Sequence, residues 1–165
     1  LAVQADGERE GVDSSALPLN VARWVNAGQG LIYPLHTLDY SEDAKATWLR
    51  HIAAWSAQDL AAILADYDES SVVTVNGDMY RGYEEIRKLF TALFKIFGGA
   101  QAAGVDRLEY IGNTVFITWH LQVDATLNFP VGTDTFVIES GIIKVQTIAS
   151  DDRYAALIRK MENSL

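Results

Sequence analysis

The sequence has 165 residues, of which 49% are hydrophobic and 21% charged, and this balance is typical of one globular domain with its own core. The formal net charge of -9 argues against a nucleic-acid surface, which needs clustered positive charge. Because the chain contains no cysteine, disulfides, thiolate catalysis and cysteine-ligated metal sites are excluded.

The first stretch, residues 1–40, carries few structural signals and is predicted to form an N-terminal arm. Residues 1–17 are polar and lack a hydrophobic period, which is typical of a loose terminal segment. Asn20 is positioned to cap a short helix through Val25. Residues 1–5, LAVQA, resemble the end of a signal peptide, so the sequence is compatible with export and equally with a cytoplasmic protein whose end is trimmed. No apolar run reaches the ~18 residues of a bilayer span, and no membrane partner is expected.

Two helices are predicted after this arm. In YSEDAKATWLRHIAAWSAQD, Ser41 caps the first turn, and Trp48 and Trp55 recur at helical spacing. His51 lies on the same helix face as these tryptophans. A second, shorter helix in DLAAILADY is capped by Asp59.

A short hairpin and a long helix are predicted next. SSVVTV and DMYRG flank Asn76 and Gly77, a pair that tolerates the positive φ angles of a tight turn between paired strands. The segment YEEIRKLFTALFKIF carries a broad apolar stripe that includes Phe90 and ends at Gly98 and Gly99. Such a stripe indicates a helix that packs on a sheet.

The remaining segments predict the strands of that sheet. VDRLEYI, TVFITWHLQVDA, TDTFVIE and IIKVQTIA are read as strands separated by turns. A final helix is expected in SDDRYAALIRKMENSL, with Ser150 as its cap. The sequence therefore predicts an α+β fold in which helices cover one face of a curved, mostly antiparallel sheet, with a domain at 41–150 and a C-terminal helix at 151–165.

The order of these elements resembles the nuclear transport factor 2-like superfamily, also called cystatin-like cones. The phrases that carry the resemblance are AAWSAQDLAAILADYDE, MYRGYEEIRKLF, YIGNTVFITW and TDTFVIESGIIKVQ, within residues 41–149. The superfamily includes ketosteroid isomerases, SnoaL-like cyclases and many small proteins without assigned chemistry. The resemblance implies a cone-shaped sheet wrapped around a long helix, with an apolar pocket open at one end. It implies less about activity, since one fold hosts many functions.

The same resemblance assigns a set of apolar residues to the pocket wall, with plain core packing as the alternative for each. The set comprises Trp55, Tyr67, Phe90, Trp119, Leu121, Phe136, Ile138 and Ile148. Tyr80 and Gln146 are expected to add hydrogen bonds inside the pocket, or else to have structural roles. The expected ligand is a small, mostly apolar molecule, and no cofactor is expected.

Asp134 is the most informative polar residue of the predicted strands. It shares strand parity with Phe136 and Ile138, so it faces the core if they do. An unpaired carboxylate there costs several kcal/mol unless it is protonated, paired or solvated. The matching position in ketosteroid isomerases holds an acid that donates to the oxyanion. The alternative is an Asp134 that reaches solvent at the mouth of the cone or bonds a loop N–H.

His51 falls where ketosteroid isomerases carry their catalytic tyrosine, so the resemblance implies an acid/base pair of Asp134 and His51. The alternative is a core histidine whose hydrogen bonds are satisfied. The general base of those isomerases falls at Thr74 or Val75, and neither can abstract a proton. Steroid isomerisation is therefore not expected, and the acid that SnoaL-like cyclases carry near the end of the last strand is missing as well.

The outer face of the predicted sheet is the expected contact with a second subunit. His120 alternates with Trp119, which assigns His120 to this face, where members of the superfamily often pair. We therefore expect a homodimer. The three histidines are spread along the chain without close acidic neighbours, so no metal site is expected.

Two functional hypotheses follow. The first is a small-ligand-binding cone domain that acts as a receptor or as a weak acid/base enzyme of isomerase or cyclase type, with Asp134 and His51 as catalytic residues. The alternative is a non-catalytic dimerisation or association module whose cone is filled by its own aromatic side chains. An open interior favours the first hypothesis, and a filled one favours the second.

Overall fold

The structure is a computed structural model that describes residues 38–165. Most of the predicted N-terminal arm, the predicted helix from Asn20 to Val25 and the signal-like residues 1–5 lie outside the described residues. The described elements in chain order are β1 (Leu38–Tyr40), α1 (Glu42–Ala57), α2 (Leu60–Leu64), β2 (Val72–Val75), β3 (Asp78–Arg81), α3 (Gly82–Phe97), β4 (Ala102–Gly112), β5 (Thr114–Gln122), β6 (Asn128–Glu139), β7 (Ile142–Ala149) and α4 (Asp152–Glu162).

The helix starts follow the local capping residues. The Ser41 side chain accepts a hydrogen bond from the backbone N–H of Ala44, and Asp59 does the same for Ala62, as the sequence predicts. The predicted cap of α4 is wrong by one residue, because Asp151 accepts from the N–H of Arg153. Ser150 is engaged elsewhere, since its hydroxyl donates to the carbonyl of Val131 on the neighbouring strand β6.

The tight turns carry positive φ angles, as the sequence predicts for Asn76 and Gly77. Asn76 and Gly77 connect β2 and β3 with φ angles of 48° and 96°. Ser140 and Gly141 connect β6 and β7 with φ angles of 51° and 76°. Because a glycine has no Cβ, the second position of each turn adopts this conformation without steric cost.

The strands form one curved, unclosed mixed sheet in the order β1-β4-β5-β6-β7-β2-β3. The long strands β4 to β7 pair antiparallel, whereas β1 pairs parallel with β4 and β2 pairs parallel with β7. This arrangement confirms the predicted α+β class with a mostly antiparallel sheet. Strand β1 lies inside the range that the sequence assigns to the arm.

The core lies between the inner face of the sheet and the helices. Ile86, Leu89, Phe90 and Leu93 of α3 are at most 1% exposed, which agrees with the predicted apolar stripe. Helix α1 packs on β4, β5 and β6, while α4 packs on α3. No helix within residues 38–165 is both long enough and apolar enough to span a membrane. The helices leave an apolar space over the inner sheet face.

Candidate functional site

A cavity of about 70 Å³ opens between helices α1, α3 and α4 and the inner face of strands β4 to β7. Its wall is mostly apolar, and among the polar side chains in it are those of His51, His120, Asp134 and Gln146. The apolar and aromatic lining residues are Trp48, Ile52, Trp55, Phe90, Leu93, Val105, Ile117, Trp119, Leu121, Phe136, Ile148 and Tyr154. Lysine and arginine are missing from this lining within the described residues.

Asp134 lies on β6 between Ile117 of β5 and Ile148 of β7, and it is only 8% exposed. One carboxylate oxygen accepts a hydrogen bond from Nε1 of Trp119 at 2.8 Å. The other accepts from Nε2 of Gln146, also at 2.8 Å. The structure thus favours the inward-facing interpretation of Asp134, and these two donors offset much of the cost of burying its charge.

Burial nevertheless dominates the acidity of this group. It raises the pKa of Asp134 to about 6, while the hydrogen bonds from Trp119 and Gln146 and the nearby His51 oppose the rise. A carboxyl group with this pKa is mostly ionised at pH 7 but takes up a proton in mildly acidic solution. Asp134 is therefore poised to change its charge close to neutral pH.

Tyr67 extends the hydrogen-bond chain behind Asp134. Its hydroxyl donates to the side-chain carbonyl of Gln146, which leaves the Gln146 amide N–H group directed at Asp134. Tyr67 is buried, and burial together with the charges of Asp66 and Asp134 raises its pKa well above the ordinary value. Tyr67 thus stays protonated and fixes the orientation of the Gln146 amide.

Gly132 makes room for the indole of Trp119. The two residues are opposite each other in the β5–β6 ladder. A Cβ at Gly132 would lie 2.1 Å from Cζ2 of Trp119, far inside van der Waals contact. The missing side chain therefore lets the indole lie against β6 with its N–H within reach of Asp134, two residues further along the strand.

The hydrogen-bond partner of His51 is Asp66 and not Asp134. Its Nδ1 lies 3.1 Å from Oδ2 of Asp66, which is fully buried, and Oδ1 of Asp66 accepts from Nε of Arg50 at 2.6 Å. Since a carboxylate only accepts, Nδ1 of His51 carries a hydrogen, and in the neutral imidazole Nε2 is the acceptor. Within the described residues no hydrogen bond is formed by Nε2.

Aromatic rings hold the imidazole of His51 in this orientation. The rings of Phe136, Tyr67 and Phe90 meet it edge-on, with centroid distances of 5.4, 5.8 and 5.9 Å. His51 is 4% exposed and lines the cavity. The result is a fixed imidazole in an apolar wall, with one nitrogen bonded to Asp66 and the other available.

The expected hydrogen-bonded pair of Asp134 and His51 is not what the structure contains. His51 bonds Asp66, whereas the oxygens of Asp134 bond Trp119 and Gln146. The two residues line the same cavity and interact electrostatically. The sequence does not predict the role of Asp66, because this residue follows α2 in an irregular segment. No helical or strand periodicity assigns it to the core there. Its position beside the buried Tyr67 is the only local signal.

The predicted ligand-binding residues divide into two groups. Those that line the cavity are Trp55, Phe90, Trp119, Leu121, Phe136, Gln146 and Ile148. Tyr67 lies behind Gln146, and Ile138 is buried in the core away from the cavity. Tyr80 is placed wrongly by the prediction, because it belongs to the edge strand β3 and its hydroxyl lies 3.2 Å from Oε2 of Glu162 on α4.

Two aromatic residues of the wall are absent from the predicted set. Trp48 is 1% exposed and meets Tyr110 edge-on at a centroid distance of 6.3 Å. Tyr154 of α4 stacks on Phe97 at 5.0 Å and lies 5.5 Å from the ring of Trp119. The helical periods of α1 and α4 mark both residues as buried, but only the packing of α4 against the sheet reveals that Tyr154 closes the cavity.

His120 departs from the predicted alternation along β5. It lines the cavity, its side chain is 29% exposed, and its Nδ1 lies 2.8 Å from Oδ1 of Asp106. The register between β5 and β6 is irregular between Trp119 and Leu121, so the alternation of side chains is interrupted there. The assignment of His120 to the outer sheet face is therefore corrected.

Comparisons with known proteins agree with this fold. The chain is similar in structure to a steroid delta-isomerase from Pseudomonas aeruginosa, with a TM-score of 0.64, 13% identity and coverage of 78% of this chain and 94% of that one. A nuclear transport factor 2-like protein of unknown function from Mesorhizobium loti gives a TM-score of 0.62, 18% identity and coverage of 72% and 98%. An uncharacterised cystatin-like fold protein from Silicibacter pomeroyi gives a TM-score of 0.60 and 15% identity, with coverage of 72% of this chain and 83% of that one.

Sequence comparisons are more selective. No curated protein matches the chain. At the level of families, the model of the SnoaL-like domain matches residues 48–156, from the middle of α1 into α4. The matched range includes the whole sheet from β2 onward and all of the cavity-lining residues. The chain therefore belongs to the SnoaL-like domain family of the nuclear transport factor 2-like superfamily.

Proposed function

We propose that this domain binds a small, mostly apolar molecule in the cavity, with Asp134 and His51 as its polar contacts. The observation that carries the proposal is the meeting of a buried carboxylate and an available imidazole nitrogen in one aromatic wall. Apolar pockets with a few convergent polar groups are the usual form of small-molecule sites.

The size of the cavity limits the ligand. A volume of about 70 Å³ is roughly half of the ~150 Å³ cavity that holds a benzene molecule in a well-studied case. A molecule with one ring therefore fits only with a part of it in the mouth or with a shift of a wall side chain such as the half-buried Trp55. Covering about 100 Å² of apolar surface contributes roughly 2.5 kcal/mol, so the polar contacts decide specificity.

An NMR titration tests this proposal. Benzyl alcohol is added to the protein while the indole N–H signals are followed, with the Trp119 signal assigned from a Trp119→Phe variant. The proposal predicts a saturable shift of the Trp119 signal, since this N–H lies 2.8 Å from Asp134 at the cavity. Indole signals that stay unchanged up to the solubility limit would contradict it.

A second candidate is a weak acid/base enzyme in the same cavity. It is favoured by the bond from His51 to Asp66, which makes Nε2 the basic nitrogen of the neutral imidazole, and by the pKa of Asp134 of about 6. The strand positions Thr74 and Val75 hold no carboxylate, so the base of the steroid isomerases has no counterpart. The test is hydrogen exchange at the α-carbon of cyclohexanone in D₂O. A rate that equals that of a His51→Gln variant would exclude the enzyme for this substrate class.

The alternative is an association module whose cone is filled. The volume that remains between the aromatic side chains supports ligand binding over this alternative. Association and binding are compatible, however, because they use opposite faces of the sheet. The outer face of β2, β7 and β6 carries Val72, Val145 and Val137 side by side, which supports the expected homodimer.

A further inference from the structure

The hydrogen-bond donors around Asp134 already donate to its carboxylate, so they are not available to a ligand. The indole N–H of Trp119 and the amide N–H of Gln146 both donate to Asp134. The carbonyl end of Gln146 is likewise occupied by the hydroxyl of Tyr67. A ligand that reaches this end of the cavity therefore meets carboxylate oxygens whose remaining lone pairs accept hydrogen bonds.

His51 adds a second acceptor to the same cavity. Its Nδ1 hydrogen is directed at Asp66, so the neutral imidazole presents the lone pair of Nε2. The ion pair of Asp66 with Arg50 keeps Asp66 an acceptor and thereby maintains this tautomer. The Asp134 carboxylate and Nε2 of His51 are thus both able to accept hydrogen bonds from a ligand.

Two other donors in the wall, on Trp48 and Tyr154, do not reverse this balance. Nε1 of Trp48 has no hydrogen-bond partner among the described residues, but protein atoms cover it and leave no surface that a ligand can approach. The hydroxyl of Tyr154 either donates or accepts. No lysine or arginine of the described chain lines the cavity, so Asp134 forms no ion pair with either residue type there.

We infer that the cavity selects a ligand whose polar end is a protonated amine, set in a small apolar body. This inference rests on the proposed function and adds the ligand class to it. The ammonium group donates to Asp134 and, when the imidazole is neutral, to Nε2 of His51, while the aromatic wall packs on the apolar body. A carbonyl compound finds no free donor at Asp134 and is disfavoured.

Three probes of the same size separate the possibilities. Benzylamine carries an ammonium donor, benzyl alcohol a neutral donor, and anisole only an acceptor, and all three have the same number of non-hydrogen atoms. Their affinities are measured by NMR titration at neutral pH in moderate salt, which screens the general attraction of a cation to an acidic protein. The inference predicts that benzylamine binds about ten-fold to a hundred-fold more tightly than anisole, as expected for a hydrogen bond to a charged group.

Two variants locate the source of the preference. Asp134→Asn is expected to bring benzylamine and anisole within about three-fold of each other, because the charge is lost. Asp43→Asn, which removes one negative charge from an exposed residue of α1, is expected to keep the preference. In the wild type, bound benzylamine is expected to lower the pKa of the Asp134 carboxyl group, which carbon-13 NMR detects without any variant.

The outcomes are distinct. Anisole that binds as tightly as benzylamine, a preference that survives Asp134→Asn, or a pKa of Asp134 that benzylamine leaves unchanged overturns the inference and leaves the proposed cavity binding intact. Failure of all three probes to bind overturns both. A benzylamine preference that disappears in Asp134→Asn and persists in Asp43→Asn supports both.

Discussion

At the scale of single residues, Asp134 couples folding to pH. Its folded pKa of about 6 lies above the ordinary value of 3.8, so the folded state binds the proton more tightly than the unfolded state does. The neutral form is therefore the favoured one in the fold. The stability that Asp134 contributes is fully present below pH ~4, is lost as pH rises through about 6, and amounts to about 3 kcal/mol across this window.

We predict that Asp134→Asn removes this part of the pH dependence. His51 of α1, Tyr67 after α2 and Tyr154 of α4 all carry titratable groups near Asp134. Since they are common to both proteins, the difference between wild type and variant isolates Asp134. Urea unfolding at pH 4, 5, 6 and 7 should show the wild type losing up to about 3 kcal/mol relative to the variant as pH rises. If the difference in unfolding free energy between wild type and variant stayed constant over this pH range, the burial assigned to Asp134 would be contradicted.

Gly132 provides a steric prediction at the same scale. Gly132→Ala places a Cβ 2.1 Å from Trp119, so the indole must move and its bond to Asp134 is lost. We expect a destabilisation of about 2 to 4 kcal/mol from overpacking and the lost hydrogen bond. Gly99→Ala is the control, because a Cβ there meets nothing within 4 Å. Equal unfolding free energies for the two variants would rule out this role of Gly132.

At the scale of elements, helix α4 completes the cavity wall. Ile158 is 0% exposed and Tyr154 lies on Phe97, Phe129 and Trp119. The α4 segment is outside the range that the sequence resemblance covers, yet it supplies one side of the site. Its amphipathic period suffices to predict a helix with a buried face, but not the surface on which that face packs.

We predict that Ile158→Ala costs about 2 to 4 kcal/mol of unfolding free energy, as is usual for a fully buried isoleucine. Lys160→Ala, two residues further along and exposed, should change stability by less than about 0.5 kcal/mol. Urea unfolding measures both. A small effect of Ile158→Ala would mean that α4 is not docked on the core.

The elements were accessible to sequence reasoning because their signals are local. Caps at Ser41 and Asp59, the Asn76-Gly77 turn and the stripe around Phe90 act within a few residues, and all are found in the structure. The site depends instead on contacts between residues that are far apart in the sequence. The contact of His51 with Asp66 and the irregular register near His120 arise from packing between elements, and no sequence period encodes them.

At the scale of the whole molecule, the outer sheet face is expected to join two subunits. Val145 is 37% exposed and is flanked by Val72 and Val137 on neighbouring strands. We predict that Val145→Asp shifts the protein from dimer to monomer in analytical ultracentrifugation. The control is Lys95→Gln, which changes the net charge by the same amount at an exposed position of α3 and should leave the dimer intact. A wild type that is monomeric at high concentration would exclude the dimer.

We propose the cavity beside Asp134 as the binding site of this domain. The most direct test is a crystal structure of the protein purified from its native host, inspected for a ligand that is carried through purification. We expect electron density for a small molecule between Trp119, His51 and Asp134, with a polar atom within hydrogen-bond distance of the Asp134 carboxylate. A cavity closed by its own side chains, or one that holds only water in such crystals, would contradict it.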